Sequence, residues 1–246
     1  MNKPSRQGHA KNSLRWFVGA SLSFWLAIAA AWWLSARIDY AYPMWYQVLA
    51  IDEHISRYAP HHPSKRDFAR LTAEQHHQAF AAISHAVHGR GEPLESIAYQ
   101  APGRPVQTLL DSAEVRHLED VARLLRLAGW ATLAAFVLWL WTMAAQSGEA
   151  LPSWRQRLLT VAVLAFAVSA LLLLAGPKVV FYQLHVWLFP PENPWFFYWE
   201  ESLMSTLMKA PFLFGGIAVQ ILLLALVLVL PIHLAGRRLG DLLGRR

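Results

Sequence analysis

The chain contains no cysteine. That absence removes a thiol nucleophile, a disulfide framework and any thiolate metal site, and it leaves the compartment open on redox grounds. Charge is also scarce. Only 15% of the 246 residues are Asp, Glu, Lys or Arg, against about 25% in an ordinary globular domain. The chain has no internal repeat, no Gly-rich phosphate loop and no low-complexity tract. Neither Ser112 nor Ser202 stands in the glycine-flanked context of a nucleophile elbow.

The shortage of charge is concentrated. Four windows carry no charged residue at all: Trp16–Leu34, Leu127–Ala145, Leu158–Ala175 and Pro211–Ile232. About 20 apolar residues in a helix cross a hydrocarbon core of roughly 30 Å. With 55% hydrophobic residues overall, the pattern is that of a polytopic, all-α membrane protein with four spans. Missing intramembrane charge argues against an ion-coupled transporter or a proton relay, which place ionisable groups at depth. Gln220 and His233 are the strongly polar side chains within or ending the fourth window. The first window follows Lys3, Arg6, Lys11 and Arg15 and precedes a passable cleavage site at Leu34-Ser35-Ala36. Its apolar run exceeds the about 7–15 residues of a signal-peptide core, so it reads as a retained helix.

Positive charge near helix ends sets orientation. The N-terminal tail has four Lys/Arg and no acid, residues 146–157 have Arg155 and Arg157 against Glu149, and the C-terminal tail has Arg237, Arg238, Arg245 and Arg246 against Asp241. All three are expected on the cytoplasmic side, which accounts for the net +6 without nucleic-acid binding. The expected division is a tail over 1–15, spans over 16–34, 127–145, 158–175 and 211–232, a cytoplasmic loop over 146–157 and a tail over 233–246. Two segments, 35–126 and 176–210, then face outward, with twelve Lys/Arg nearly cancelled by fourteen Asp/Glu.

The first outer segment is too long to be a bare connection. Its middle, Ser64 to His88, is rich in helix formers, with Phe68, Leu71, Phe80, Ile83 and Val87 at spacings compatible with one helical face. Gly89 and Gly91 stop that helix. Asp111 followed by Glu114 resembles a capping box, and the helix it starts has no breaker before Gly129, so it is expected to run on into the second span. The second outer segment, GPKVVFYQLHVWLFPPENPWFFYW from Gly176 to Trp199, mixes Trp, Tyr and Phe with Pro and Asn. Such a mixture suits the membrane–water boundary, where rings sit at headgroup depth with a polar edge toward water.

Nine of the eleven histidines lie in these two segments. Three readings compete. In the first they are solvated residues of an extracytoplasmic domain. In the second His85 and His88, one helical turn apart, join His77 at a zinc or copper site, although no carboxylate at ligand spacing reinforces them. In the third, His117 and His185 are a general acid–base pair, suited to neutral pH by an ordinary pKa near 6.5. His117 is ten residues from Leu127, at most on the order of 15 Å above the hydrocarbon edge at 1.5 Å per residue. Asp120, three residues on, shares its face and is placed to orient the imidazole. Arg116 stands at i,i+4 spacing from the same carboxylate.

Taken together, the two histidine segments resemble a known family. AEVRHLEDVARLL is similar to a signature of Glu-x-x-His followed by an acidic-Val pair. LHVWLFPPENPWFF is similar to a second signature, His followed by an aromatic-aliphatic run, Pro, then Asn-Pro-Trp-aromatic. The family is that of the integral membrane lipoprotein intramolecular transacylases. Four spans, an outer domain between the first and second and an aromatic loop between the third and fourth agree with its layout.

The resemblance implies a bacterial cytoplasmic-membrane enzyme with both termini inside and its site on the extracytoplasmic side. Its substrate would be a lipoprotein whose N-terminal cysteine carries a diacylglyceryl thioether. One acyl chain would move from the glycerol sn-2 oxygen to the cysteine α-amine. By the same resemblance His117 and His185 carry the reaction. An α-ammonium has a pKa near 7.7–8.0, so an imidazole can take its proton. The ester oxyanion needs donors, for which Asn193, Trp187, Trp195, Arg116 and Arg123 are the candidates. Ester-to-amide transfer is downhill, so neither a cofactor nor a metal is expected. The partners are diacylglyceryl lipoproteins and membrane lipid. Readings from other classes are a His-rich metal-binding or sensing membrane protein, and a non-catalytic assembly factor whose aromatic loop docks a partner.

Overall fold

A computed structural model of the chain describes residues 6–146, 153–156, 158–159, 162–163, 166, 170 and 177–243. In chain order its helices are α1 (Arg6–Arg37), α2 (Tyr42–Val48), α3 (Ile51–Tyr58), α4 (Ala73–Val87), α5 (Ser112–Ala145), α6 (Pro177–Leu188), α7 (Leu203–Leu207) and α8 (Phe212–Leu243). Short 3-10 turns occupy Asp39–Ala41, Ala59–His61, Arg66–Arg70 and Leu94–Ser96. Two short strands, β1 (Ala98–Tyr99) and β2 (Gln107–Thr108), pair antiparallel with Ala98 opposite Thr108.

Among the described residues, three helices are long and apolar enough to cross a membrane: Leu14–Arg37, Ser112–Ala145 and Phe212–Leu242. They coincide with the first, second and fourth charge-free windows. The third window, Leu158–Ala175, lies largely outside the described residues, as do residues 147–152 of the connection before it. The helices outrun their windows. The 34 residues of α5 extend about 51 Å at 1.5 Å per residue, well beyond a core of roughly 30 Å. Its first half holds Arg116, Glu119, Asp120, Arg123 and Arg126, and only residues 127–145 are free of charge. In the same way α8 passes through Pro231 and continues to Leu243. Charge marks where a helix can leave lipid; it does not end the helix.

The chain divides into two compact units. The first comprises residues 1–33, 129–180 and 221–246. Glycines set how closely its helices approach, a device that suits packing in lipid, where water drives nothing together. A Cβ on Gly236 would meet Trp139 at 2.3 Å, and one on Gly240 would meet the Met143 carbonyl oxygen at 2.3 Å. The fully buried Ser23 joins three helices. Its Oγ donates to the Gly19 carbonyl at 2.8 Å, accepts from Trp139 Nε1 at 2.9 Å and lies 3.0 Å from His233 Nδ1. With the hydroxyl proton on Gly19, His233 must carry its proton on Nδ1 to complete the set. Outward, the unit presents Trp130, Trp141, Phe166 and Val227, the all-round apolar surface of spanning helices.

The second unit comprises residues 34–128 and 181–220. Its core is built on Tyr42, Ile51, Ile55, Phe68, Ile83, Leu109, Leu203 and Leu207, all fully buried. Tyr42 stacks on Phe80 with ring centroids 4.0 Å apart and donates to the Leu207 carbonyl at 2.7 Å. Lys209 Nζ donates to the Leu49 carbonyl at 2.5 Å. Trp45 lies against Gly216, where a Cβ would stand 2.7 Å from the indole, and donates to Gln220 Oε1 at 2.8 Å.

The helix expected over Ser64–His88 is shorter than its composition suggested. Residues Arg66–Arg70 form a 3-10 turn, and α4 begins only after Thr72. Thr72 and Gln75 make a reciprocal capping box, a start signal that outweighs the run of helix formers before it. Phe68 and Leu71 are buried as expected, but from the turn and not from a shared helical face. Gly89, at φ +67°, ends the helix in the left-handed conformation that glycine adopts at little steric cost. The second outer segment departs from its expected reading as a loop, since α6 occupies its first half.

Candidate active site

The expected start at Asp111 is present in half. Glu114 Oε2 accepts from the Asp111 backbone N–H at 2.6 Å, which is one arm of a capping box. The Asp111 carboxylate instead accepts from Lys65 Nζ at 2.5 Å. From this start α5 carries Glu114, His117 and Asp120, spaced three apart and only 2%, 8% and 4% exposed. Residues three apart share a helix face, so the three form one buried polar stripe.

Pro177 begins α6, in the first-turn position a proline tolerates. His185 falls in its last turn. The helix stops at Leu188, where Pro190 disfavours helical geometry in the residue before it. Pro190 to Asn193 close a turn in which Asn193 N–H donates to the Pro190 carbonyl at 3.0 Å, with Pro191 at the position that suits proline. Beyond it burial alternates strictly. Asn193, Trp195, Phe197 and Trp199 are half-buried, while Pro194, Phe196, Tyr198 and Glu200 are exposed. That period of two is the mark of a chain running extended over a surface.

The alternation brings rings to the histidines. His117 and His185 face each other with centroids 6.2 Å apart and planes at 26°. Phe189 touches both, at 4.7 and 5.1 Å. Trp195 lies 5.1 Å from His185, and Phe197 lies 5.8 Å from His117. His117 is buried with Nδ1 lacking a hydrogen-bond partner, whereas His185 is half-buried. One imidazole is therefore held in a fixed apolar setting, and the other borders the surface.

Not every candidate joins them. Asp120 makes no hydrogen bond to His117: its Oδ2 accepts from Asn193 Nδ2 at 2.5 Å, and Oδ1 lies 3.3 Å from Arg123 Nη1. The spacing pairs Asp120 with Arg123 at i,i+3 rather than with Arg116 at i,i+4, and Arg116 is exposed. Trp187, two residues past His185 and so about 200° around the helix, is 72% exposed. It faces away from the pair. Phe189 and Phe197, which were not singled out from the sequence, prove to be the rings packed on His117. The alternation from Asn193 to Trp199 is the signal that marks Phe197.

The remaining histidines serve a different purpose. They are not uniformly the solvated residues that their number suggests: His61 is exposed, but His54, His62 and His76 are buried. His54 packs edge-on to Trp199 at 4.5 Å and against Tyr58 at 4.6 Å. Burial, helped by the charges of Lys209 and Arg57, pushes its pKa down to about 4. His76 accepts from or donates to Tyr46 at 2.8 Å and lies against Phe68, and burial lowers its pKa as well. The three candidate metal ligands have separate neighbours. His85 Nε2 is 3.0 Å from Asp39, His88 bonds the Ser84 carbonyl and Tyr40, and His77 lies edge-on to Tyr42 and Tyr46. Among the described residues no group of three His, Cys, Asp or Glu side chains is arranged to hold a metal.

A model of the family described as lipoprotein intramolecular transacylase Lit matches residues 93–213, a range that includes every residue of this site. Among solved structures, the in meso structure of the membrane integral lipoprotein intramolecular transacylase Lit from Bacillus cereus, in a variant with a His-to-Arg mutation, is similar. The TM-score is 0.59 at 16% identity, covering 95% of this chain and 93% of that one. At that identity the likeness is one of fold. No curated protein matches the chain. Spanning helices and the family match together define a membrane-integral acyltransferase. Within that class the chain is similar to the lipoprotein intramolecular transacylases.

Proposed function

We propose that this enzyme moves an acyl chain from the glycerol sn-2 oxygen of a diacylglyceryl-cysteine to the α-amine of the same cysteine, with His117 and His185 as the acid–base pair. The observation that carries the reading is the 6.2 Å approach of the two imidazoles, one from α5 and one from α6. One imidazole removes a proton from the α-ammonium. The free amine attacks the ester carbonyl, forming the C–N bond and an oxyanion. Collapse breaks the bond to the sn-2 oxygen, and the other imidazole protonates the departing alkoxide. The proton lost by the amine in forming the amide restores the imidazolium that protonated the alkoxide, and the proton taken from the α-ammonium is released to water, so atoms and charge balance without a cofactor. Both reacting groups belong to one substrate, which makes positioning the larger part of catalysis.

Among the five oxyanion-donor candidates, Trp195 has its indole ring packed 5.1 Å from His185. Asn193 commits its amide to Asp120 and so positions the aromatic segment instead. Asp120 acts on the pair through that clasp and through its charge, not by a direct bond. The charge-free end of α5 sits in the membrane, and its charged first half projects to the extracytoplasmic side. On this reading the pair lies near headgroup depth, where the lipid ester and the lipoprotein amine meet. The third window completes four spans, with both termini in the cytoplasm.

The test is mass spectrometry of a lipoprotein's N-terminal peptide from bacteria that express this chain and lack their own N-acylating enzyme. Conversion of the diacylglyceryl form to the N-acyl-monoacylglyceryl form is expected. An unchanged lipid form, with the protein folded in the membrane, would contradict the proposal.

A further inference from the structure

We infer that Glu114 is a positioning residue for acyl transfer: its carboxylate clasps the far end of the aromatic segment onto α5, holding Phe197 and Trp195 against the histidine pair. The inference rests on the assignment of His117 and His185 given above. A buried glutamate in the first turn of a helix ordinarily needs no more than a capping role. Oε2 performs that role through the Asp111 N–H. Oε1 does not cap its own helix. It accepts from Ser202 Oγ at 2.5 Å and from the Met204 N–H at 3.2 Å, residues far along the chain at the start of α7.

From Ser202 a continuous set of contacts leads back to the chemistry. Ser202 Oγ accepts from the Ser205 N–H at 2.9 Å, Ser205 Oγ donates to the Phe197 carbonyl at 3.3 Å, and the Phe197 ring lies 5.8 Å from His117. The other end of the segment has a clasp of its own, Asn193 on Asp120. Two carboxylates, three residues before and three residues after His117, thus fix the two ends of the segment that covers it. The sequence Glu-x-x-His-x-x-Asp places clasp, base and clasp on one helix face.

The chemistry of the clasp is specific. Each group that Glu114 meets is a donor: two backbone N–H groups and one hydroxyl. A carboxylate satisfies all three. Glutamine has the same shape but turns an N–H₂ toward a donor on one side or the other. Glu114→Gln should therefore keep the volume and lose one side of the clasp.

The experiment uses the full chain in phospholipid nanodiscs with a diacylglyceryl lipopeptide as substrate. Glu114→Gln is expected to lower kcat by roughly a hundredfold, the effect of misplacing reacting groups by about 1 Å, with little change in KM. The pH dependence of the residual activity should keep its midpoint, because the titrating groups are still the histidines. Hydrogen exchange should rise in residues 193–204 and stay unchanged in α1 and α8. Ser202→Ala should lose a smaller part, since the Met204 N–H remains, and it serves as the test if Glu114→Gln does not fold. Wild-type kcat in Glu114→Gln, or a loss with no local rise in exchange, would overturn the inference. So would disappearance of a pH limb, which would make Glu114 itself a proton carrier. If the wild type fails to convert the lipopeptide, the proposed reaction is wrong, and the exchange data still decide whether Glu114 clasps the segment.

Discussion

Two regions of the second unit pack imidazoles among aromatic rings. Around α4 and α3, His54, His76 and His77 lie against Tyr42, Tyr46, Tyr58, Phe68 and Trp199. His54 fills a place that a phenyl group could fill, His76 also hydrogen-bonds Tyr46 and the Phe68 carbonyl, and burial disfavours the charged form of both. On α5 and α6, two imidazoles instead face one another, one buried and one at the surface, with a carboxylate three residues to either side of His117. The contrast shows what separates a structural histidine from a reactive one. It is the neighbouring imidazole and the clasps that fix the setting, not burial and not aromatic company, which both regions share.

The contrast can be broken most severely at the pair. His117→Asn or His185→Asn is expected to reduce acyl transfer by about 10²–10⁴-fold, the range for a lost general acid or base, measured by single-turnover conversion of a diacylglyceryl lipopeptide. Next in size is the near clasp. Asp120→Asn and Asn193→Ala should each cost roughly tenfold to a hundredfold, as expected for displaced groups. Their double mutant should cost little more than either alone, because they remove one interaction. Full additivity in that cycle would show that the two side chains act separately.

The structural histidines sharpen the comparison from the other side. His54 has a folded pKa of about 4 against an ordinary 6.5. Between those values the unfolded chain binds more protons than the folded one, so stability rises with pH across the window and falls on acidification from 6.5 toward 4. His54→Phe keeps a ring between Tyr58 and Trp199 and should flatten that acid dependence. The effect is on the order of 3 kcal/mol at the acid end, read from thermal unfolding at a series of pH values, with turnover at neutral pH preserved. The smallest effect is expected at His85 and His88. Changing both to Ala should leave conversion and metal content unaltered; zinc or copper lost on that change would restore the metal reading.

Much of this was legible in the sequence. Charge-free windows identify the three described spans, since a helix in lipid must be apolar along its length. The start of α5 was visible in Asp111 and Glu114, and its passage into the span followed from the lack of a breaker. The pairing of His117 with His185 came from two short motifs that a family shares; nothing in their local spacing demanded it. Other features depend on tertiary contact. No periodicity reveals that Asp120 bonds Asn193 and not His117, because both partners suit a carboxylate and only the return of the chain after Pro190 decides. The α4 boundary at Thr72 was misjudged because helix propensity continues upstream of a real cap. The structural histidines were misread because polarity predicts solvent, whereas a neutral imidazole packs much as tyrosine does. Helix α6 hides within a segment whose aromatic and proline content also fits a loop.

The central claim is that the acyl chain moves within one lipoprotein, from sn-2 to the α-amine, at the His117–His185 pair. The most direct measurement supplies purified enzyme with a lipopeptide carrying a deuterated chain at sn-2 and an unlabelled chain at sn-1, diluted into unlabelled lipid. Mass spectrometry of the product should find the deuterated chain on the amine in every turnover, and conversion by His117→Asn reduced at least about a hundredfold. Unlabelled acyl chain on the amine, or undiminished conversion by His117→Asn, would contradict the account.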